Sequence, residues 1–288
     1  MNNPALKRRL ALCLTPLLLA LVLIGILSAQ HRVTINRQAV TLRTGPGLTY
    51  AKVKHQAKSE RVRIIGQRHD WYKLALSDHT VAWAPVWRVN HQTKVANGNA
   101  LSEATIVIDA GHGGSDVGAE AVTDSTKAKY MEKTYTLKVA KLVAKKLRAK
   151  GARVLMTRTA DQYVSLKDRP KVAERAKADA FISFHFNSSP NANEGSGVTA
   201  YYYHHNGSKQ LAKLMSKAFA ALPLTNLGTK FGDFYVLREN SQPAILCELG
   251  YINSKHDFKK IRSTAYQEQV ADRVVAAVNR FCQLRAGK

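Results

Sequence analysis

The chain has 288 residues, enough for one sizeable core and a small extra domain. Its formal net charge of +24 is spread along the chain: residues 1–30 carry 3 Lys and Arg and no Asp or Glu, residues 31–102 carry 12 against 3, and residues 103–288 carry 29 against 17. That balance favours polyanionic surroundings, and three cysteines argue against a disulfide-stapled fold.

Lys7-Arg8-Arg9 precedes Leu10 to Ala29, twenty residues without a charge. That length spans a bilayer, with the positive flank held in the cytoplasm and the rest exported. Leu27-Ser28-Ala29 is a poor small-x-small cleavage site, so residues 1–30 read as an uncleaved anchor ahead of a removed signal peptide. Export removes nucleic acid as a partner for the basic charge and leaves an anionic membrane face or cell wall.

Residues 31–95 turn to short alternating segments. Val40 and Leu42 come before the turn Thr44-Gly45-Pro46-Gly47; Val62, Ile64 and Ile65 follow, then Trp71-Tyr72-Lys73-Leu74 and Val81-Ala82-Trp83-Ala84. Four such strands predict a small β-barrel. The run Val40 to Tyr50 with its Gly-Pro-Gly turn, followed by Trp71-Tyr72 and Trp83, resembles a bacterial SH3 domain, with Thr41 and Leu42 replacing the usual residues before Arg43. The resemblance implies binding of cell-wall peptides. It makes Trp71, Tyr72 and Trp83 wall-binding candidates, the alternative being plain core positions. Residues 96–102, around Asn97-Gly98-Asn99, lose periodicity and read as a linker.

From Glu103 strands alternate with helices, the pattern of an α/β layer fold. Thr105 to Ile108 is β-branched throughout, as suits a strand covered on both faces, and it runs into Asp109-Ala110-Gly111-His112-Gly113-Gly114. After a polar loop, Tyr130 to Lys150 carries Leu137, Val139, Ala140, Val143 and Leu147 at helical spacing, with Glu132 at its start. The order then predicted is a strand at Arg153 to Thr157, a helix from Ser165-Leu166-Lys167-Asp168 to Ala178, and strands at Ala180 to His185 and Gly197 to Tyr203. A helix at Ser208 to Leu222, a short strand at Phe234 to Leu237, a buried strand at Ala244 to Leu249 and a closing helix at Thr264 to Leu284 complete it. Five or six strands with helices between them predict a three-layer sandwich.

Two of these strands end at a histidine, and the carboxyl edge of an open α/β sheet is where ligands bind. Glu248 is the one carboxylate in the run Ala244 to Leu249, where burial costs free energy unless a basic residue or a metal sits beside it. Catalytic zinc takes three protein ligands and keeps a fourth position for water. His112, Glu132 and His185 meet that count and leave Glu248 to act on the water, although spacing alone does not bring them together. The short motif His-Glu-x-x-His is absent. Cys247 points to the face opposite Glu248 and is rejected as a nucleophile.

Six ordered motifs carry a family resemblance: Ile108 to Gly114, Glu132-Lys133, Thr157-Arg158, Ser183-Phe184-His185-Phe186-Asn187, Leu237 to Asn240, and Pro243 to Tyr251. Over residues 105 to about 285 the chain resembles the zinc-dependent N-acetylmuramoyl-L-alanine amidases of the type-3 family. The resemblance implies a phosphorylase/hydrolase-like α/β/α catalytic domain over 103–288, with Zn2+ on His112, Glu132 and His185 and Glu248 as the catalytic residue. It implies hydrolysis of the amide between the lactyl group of muramic acid and L-alanine of the stem peptide. Asn187 and Arg238 are candidates for substrate contact, with a loop cap and a surface ion pair as their alternatives, and Arg158 reads as structural. The expected partners are peptidoglycan, anionic wall polymers through the basic surface, and the membrane through residues 10–29. A zinc peptidase acting within the stem peptide and a non-catalytic wall-binding protein are the rival readings.

Overall fold

The computed structural model describes residues 32–54, 59–90, 99–122 and 130–287. The expected membrane segment 10–29 lies outside the described residues, as does the start of the expected linker. No described helix is long and apolar enough to cross a membrane.

The N-terminal part is an antiparallel meander of β1 (Arg32–Asn36), β2 (Ser59–Arg68), β3 (Trp71–Ala75) and β4 (Val81–Pro85), followed by the helical turn α1 (Val86–Asn90). Alternation aims Ile35, Val62, Leu74, Ala82 and Ala84 into a small core shared with Val40 and Leu42. Two expectations change here. Val40 to Leu42 is not a strand: it packs as irregular chain, and Arg43 makes single bridges to Trp83 of β4 and to Lys52 outside the sheet. The first strand is Arg32–Asn36 instead. No β1–β4 pairing closes the sheet among the described residues, so it is an open meander and not a closed barrel.

The second part contains β5 (Thr105–Ala110), α2 (Glu132–Ala149), β6 (Arg153–Met156), α3 (Asp168–Ala176), β7 (Ala180–Asn187), β8 (Val198–Tyr202), α4 (Ser208–Phe219), β9 (Asn226–Phe231), α5 (Tyr235–Arg238), β10 (Ala244–Tyr251), α6 (Lys255–Ile261) and α7 (Thr264–Arg285). Its six strands lie in the order β6-β5-β7-β10-β8-β9. The first four are mutually parallel, and β8 runs antiparallel to β10. Ile108, Ile182, Phe184, Ile245 and Cys247 face a core built with α2, α4 and α7, through residues such as Val143, Met215 and Val274. Val107, Phe181 and Leu246 face the other way, onto Ala173 of α3 and onto Val236 and Leu237 of α5. The three-layer α/β/α architecture is therefore present.

Three elements differ from expectation. Phe234 to Leu237 has strand-like composition but forms the helical turn α5, with Arg238 and Glu239 backbone N–H groups donating to the Phe234 and Tyr235 carbonyls at 2.9 Å. The turn buries Val236 and Leu237 against the sheet, a tertiary gain that overrides β-propensity. β9 is a largely half-buried edge strand interrupted by Gly228 in the left-handed region, and α6 is a seven-residue helix capped by Ser254. Neither has a long apolar period.

The two parts join at the amino-terminal edge of the large sheet. The fully buried Arg43 guanidinium meets Glu103 at 2.6 Å and donates to the Tyr50 carbonyl at 2.6 Å. Leu48, beside the Gly-Pro-Gly turn, belongs to the core of the second part, and its carbonyl accepts from Gly287 N–H at 3.0 Å. The Trp87 indole donates to Ser102 O, and Arg153 pairs with Asp70 at 2.9 Å. Residues 101–103, where the linker was expected to give way to the catalytic domain, form a buried helical turn at this junction. Trp71 is 4% exposed and meets Trp87 edge to face, a core position, whereas Tyr72 and Trp83 are half-buried.

Candidate active site

The site forms at the carboxyl edge of the sheet, where β5 and β7 end side by side. Beyond Ala110 the chain turns through His112 at φ 59°, in the left-handed region. This turn needs a glycine beside it: a Cβ on Gly111 would lie 2.4 Å from the His185 ring. Gly118 is similarly constrained, since its Cβ would lie 2.6 Å from Glu132 Oε2 and 2.7 Å from the His112 ring.

Glu132 is the first residue of α2, where the helix dipole favours a carboxylate. It is buried, with Oε2 3.1 Å from His112 Nε2 and Oε1 3.0 Å from His185 Nδ1. The two imidazole nitrogens are 3.1 Å apart. One donor atom from each of the three residues lies within 4.8 Å of the others, a group able to hold a metal ion. Separations near 3 Å fit donors that share one ion at the usual 2.0–2.2 Å or so of zinc. Burial alone would push the Glu132 carboxyl up, but the two imidazoles hold it well below the usual carboxylate range. Burial alone would lower the His112 pKa, yet the Glu132 and Asp116 carboxylates raise it. This electrostatic setting favours a cation at the centre.

The donors are fixed from behind. Glu132 accepts backbone N–H bonds from Ala119 and Phe186, both at 2.9 Å, and His112 Nδ1 meets Asp116 Oδ1 at 2.8 Å. A carboxylate on the far nitrogen of a ligating histidine sets its tautomer and orientation. Asp116 was not among the sequence candidates; its only local signal is its place four residues after His112 in a polar loop.

A second layer holds the strand end itself. Asp109 is fully buried and receives Arg169 Nη1 at 2.8 Å, Ser183 Oγ at 2.7 Å and Thr157 Oγ1 at 2.6 Å. Burial would raise its pKa, but Arg169 and the two hydroxyls bring it below the ordinary value. Arg169 also donates to the Ala110 and His112 carbonyls, and buried Arg158 to those of Ala110, Gly111 and Lys133. Arg158 is therefore structural, as expected.

Glu248 lies on β10 directly across the ladder from His185. It is 9% exposed, and its Oε2 is buried with no hydrogen-bond partner. Burial, and then the Glu132 charge, push its pKa well above that of an ordinary carboxyl. A carboxylate held this way, beside three metal donors, is suited to taking and giving a proton. Cys247, one position earlier, is buried in the opposite core, where burial pushes its thiol pKa up. It is free, as is Cys282.

His112 and His185 open onto a cavity of about 150 Å³ whose walls include Leu166, Phe234, Val236, Leu246 and Arg169. The substrate candidates stand apart from the three donors. Asn187 ends β7 with its Oδ1 accepting from Ser188 N–H at 2.8 Å, and half-buried Arg238 pairs with Asp233 and Glu239 and lies over the Tyr235 ring. Among the described residues, no hydrogen bond or ion pair joins either to the three donors. The aromatic wall at Phe234 and Tyr235 was missed because that segment reads as an interior strand.

The profile of a family described as N-acetylmuramoyl-L-alanine amidase matches residues 106–280. A probable cell wall amidase, LytH, of Staphylococcus epidermidis is 36% identical over 255 residues, covering 87% of this chain and 84% of that protein. Among solved structures, an N-acetylmuramoyl-L-alanine amidase from Clostridium difficile 630 aligns with a TM-score of 0.58 at 36% identity, over 61% of this chain and 94% of that one. The amidase AmiC2 of Nostoc punctiforme aligns with a TM-score of 0.59 at 34% identity, over 65% of this chain and 99% of that one.

Proposed function

Because the chain belongs to the N-acetylmuramoyl-L-alanine amidase family and is a cell wall amidase, we propose that it uses zinc to cut the amide between muramic acid and the L-alanine of the stem peptide. The observation that carries this reading is the meeting of His112, Glu132 and His185 beside the unpartnered Oε2 of Glu248.

His112 Nε2, Glu132 and His185 Nδ1 would hold the ion, and Asp116 would keep the His112 ring in its ligating tautomer. Zinc bound there supplies Lewis acidity toward an amide carbonyl and makes water more acidic. Glu248 accepts the proton of the attacking water at a carboxylate oxygen and delivers it to the departing alanine nitrogen. General acid–base catalysis of this kind contributes roughly 100- to 10,000-fold. The low-polarity surroundings that raise the Glu248 pKa also make it a stronger base once ionised. The cavity bounded by Leu166, Phe234 and Val236 receives an apolar part of the stem peptide, and Asn187 and Arg238 are its outer polar contacts.

The enzyme acts outside the cytoplasm, held through residues 10–29 or released to the wall. Its basic surface keeps it on anionic wall polymer, and an SH3-like N-terminal domain presents Trp83 to the wall, Tyr72 being turned toward the small core.

The test is mass spectrometry of products from purified peptidoglycan, with the full-length protein, with chelator, and with Glu248→Gln. Free stem peptides beginning at L-alanine, absent with chelator and with the variant, are the expected result. Shortened peptides still attached to muramic acid would replace this reading with a stem-peptide peptidase. Intact wall that nevertheless retains the protein would make it a binding protein.

A further inference from the structure

The outward side of the N-terminal sheet carries charges that the fold does not use. Arg61 and Arg63 on β2 are two positions apart and share a face, and the antiparallel register places Arg32 of β1 directly opposite Arg63. All three are exposed, and none makes an ion pair with any described residue. Between them opens a cleft of about 380 Å³ whose lining also includes Ser77 and His79. On the same side of the sheet, Lys73 of β3 faces half-buried Trp83 of β4.

Like charges directly opposite one another disfavour strand pairing. The register sets Arg32 against Arg63, and neither has an ion pair among the described residues. A bound polyanion would relieve that repulsion. Guanidinium groups meet phosphate oxygens through two parallel hydrogen bonds, which a lysine ammonium does not reproduce. Arg61 and Arg63 stand about 7 Å apart along the strand, the scale of one extended glycerol phosphate repeat, so they suit consecutive charges on a chain better than one isolated ion. The junction with the amidase part engages Asp70, Trp71 and Trp87 and leaves this cleft open.

We infer that the outer face of the N-terminal sheet, centred on Arg32, Arg61 and Arg63, is a binding site for a phosphodiester-linked anionic polymer. It deepens the wall-attachment part of the proposed function and rests on that part alone. Binding is measured without turnover, so a failure here leaves the hydrolytic reading standing, and an absence of hydrolysis leaves this site standing.

The experiment titrates full-length protein in neutral detergent with labelled poly(glycerol phosphate), with monomeric glycerol phosphate, and with micelles containing phosphatidylglycerol. The wild type is compared with a variant carrying Arg32→Gln, Arg61→Gln and Arg63→Gln. The expected result is polymer binding at least tenfold weaker in the variant, with a salt dependence shallower by about one unit of slope per guanidinium removed. The melting temperature should hold or rise, because a repulsion has been removed. Unchanged polymer affinity overturns the inference, as does a fall in melting temperature accompanying the loss of binding, which would make the arginines structural. Monomer binding as tight as polymer binding removes the chain, and a loss confined to the lipid micelles assigns the face to a membrane.

Discussion

At the scale of single residues, the site divides into atoms that would meet an ion and atoms that aim them. Asp116 belongs to the second kind, since it touches His112 only through Nδ1. Replacing it with alanine should weaken zinc affinity by about 10- to 100-fold while leaving the fold intact. Competition with a calibrated chelator measures this, and an unchanged affinity would show that the Gly-His-Gly turn holds the ring unaided. Glu248 behaves in the opposite way. Glu248→Gln should retain zinc and lose about 100-fold or more in kcat, so metal content and rate separate the two roles. The opposed faces of Cys247 and Glu248 were legible in the sequence because side chains on a strand alternate. Asp116 was not legible, because its meaning depends on which nitrogen of His112 faces inward.

At the scale of elements, the strand-end turn is held by two buried arginines that arrive from distant segments. Asp109 and Arg169 are sixty positions apart and meet at 2.8 Å. Asp109→Asn leaves Arg169 with an uncompensated buried charge, which costs about 3–5 kcal/mol. Urea unfolding should report that loss, and a cost under about 1 kcal/mol would mean that the carbonyls around Arg169 suffice. The strands bearing His112, His185 and Glu248 could be read from their apolar runs, and so could α2 from its period. Their convergence could not, since it comes from the parallel register that puts Glu248 across from His185. The turn α5 was misread for a related reason: Val236 and Leu237 follow the packing available on the sheet and not their local preference.

For the whole molecule, the junction between the two parts carries buried charge with consequences for pH. Asp179, half-buried beside it, accepts from Thr105 N–H, and its carboxyl is pushed up to about 6, with desolvation the main cause. A folded-state pKa above the ordinary value near 3.9 means that the native form keeps a proton that the unfolded chain releases. This group's contribution is therefore most favourable below about pH 4, declines as pH rises through 6, and is flat beyond. The difference is on the order of 3 kcal/mol. Asp179→Asn should remove that slope, so wild-type and variant melting curves diverge between pH 4.5 and 7. Parallel curves would assign the pH dependence elsewhere. The two-part organisation was legible in the change from alternating segments to strands and helices, but the closeness of the parts was not. Trp71 looked like a surface aromatic because Trp87 and the junction that cover it are remote in pattern from a β-strand.

The sealed guanidinium of Arg43 has a further consequence, for cooperativity. Parting the two units strands Glu103 in one and Arg43 in the other, and it uncovers Leu48, which is built into the neighbour's core. Neither unit can melt while the other keeps its native surface, so a calorimetric scan should show a single endotherm with equal calorimetric and van't Hoff enthalpies. Two separated endotherms would show the units to be thermally independent. With one shared transition, the proposed wall-binding face and the candidate active site are lost together on heating.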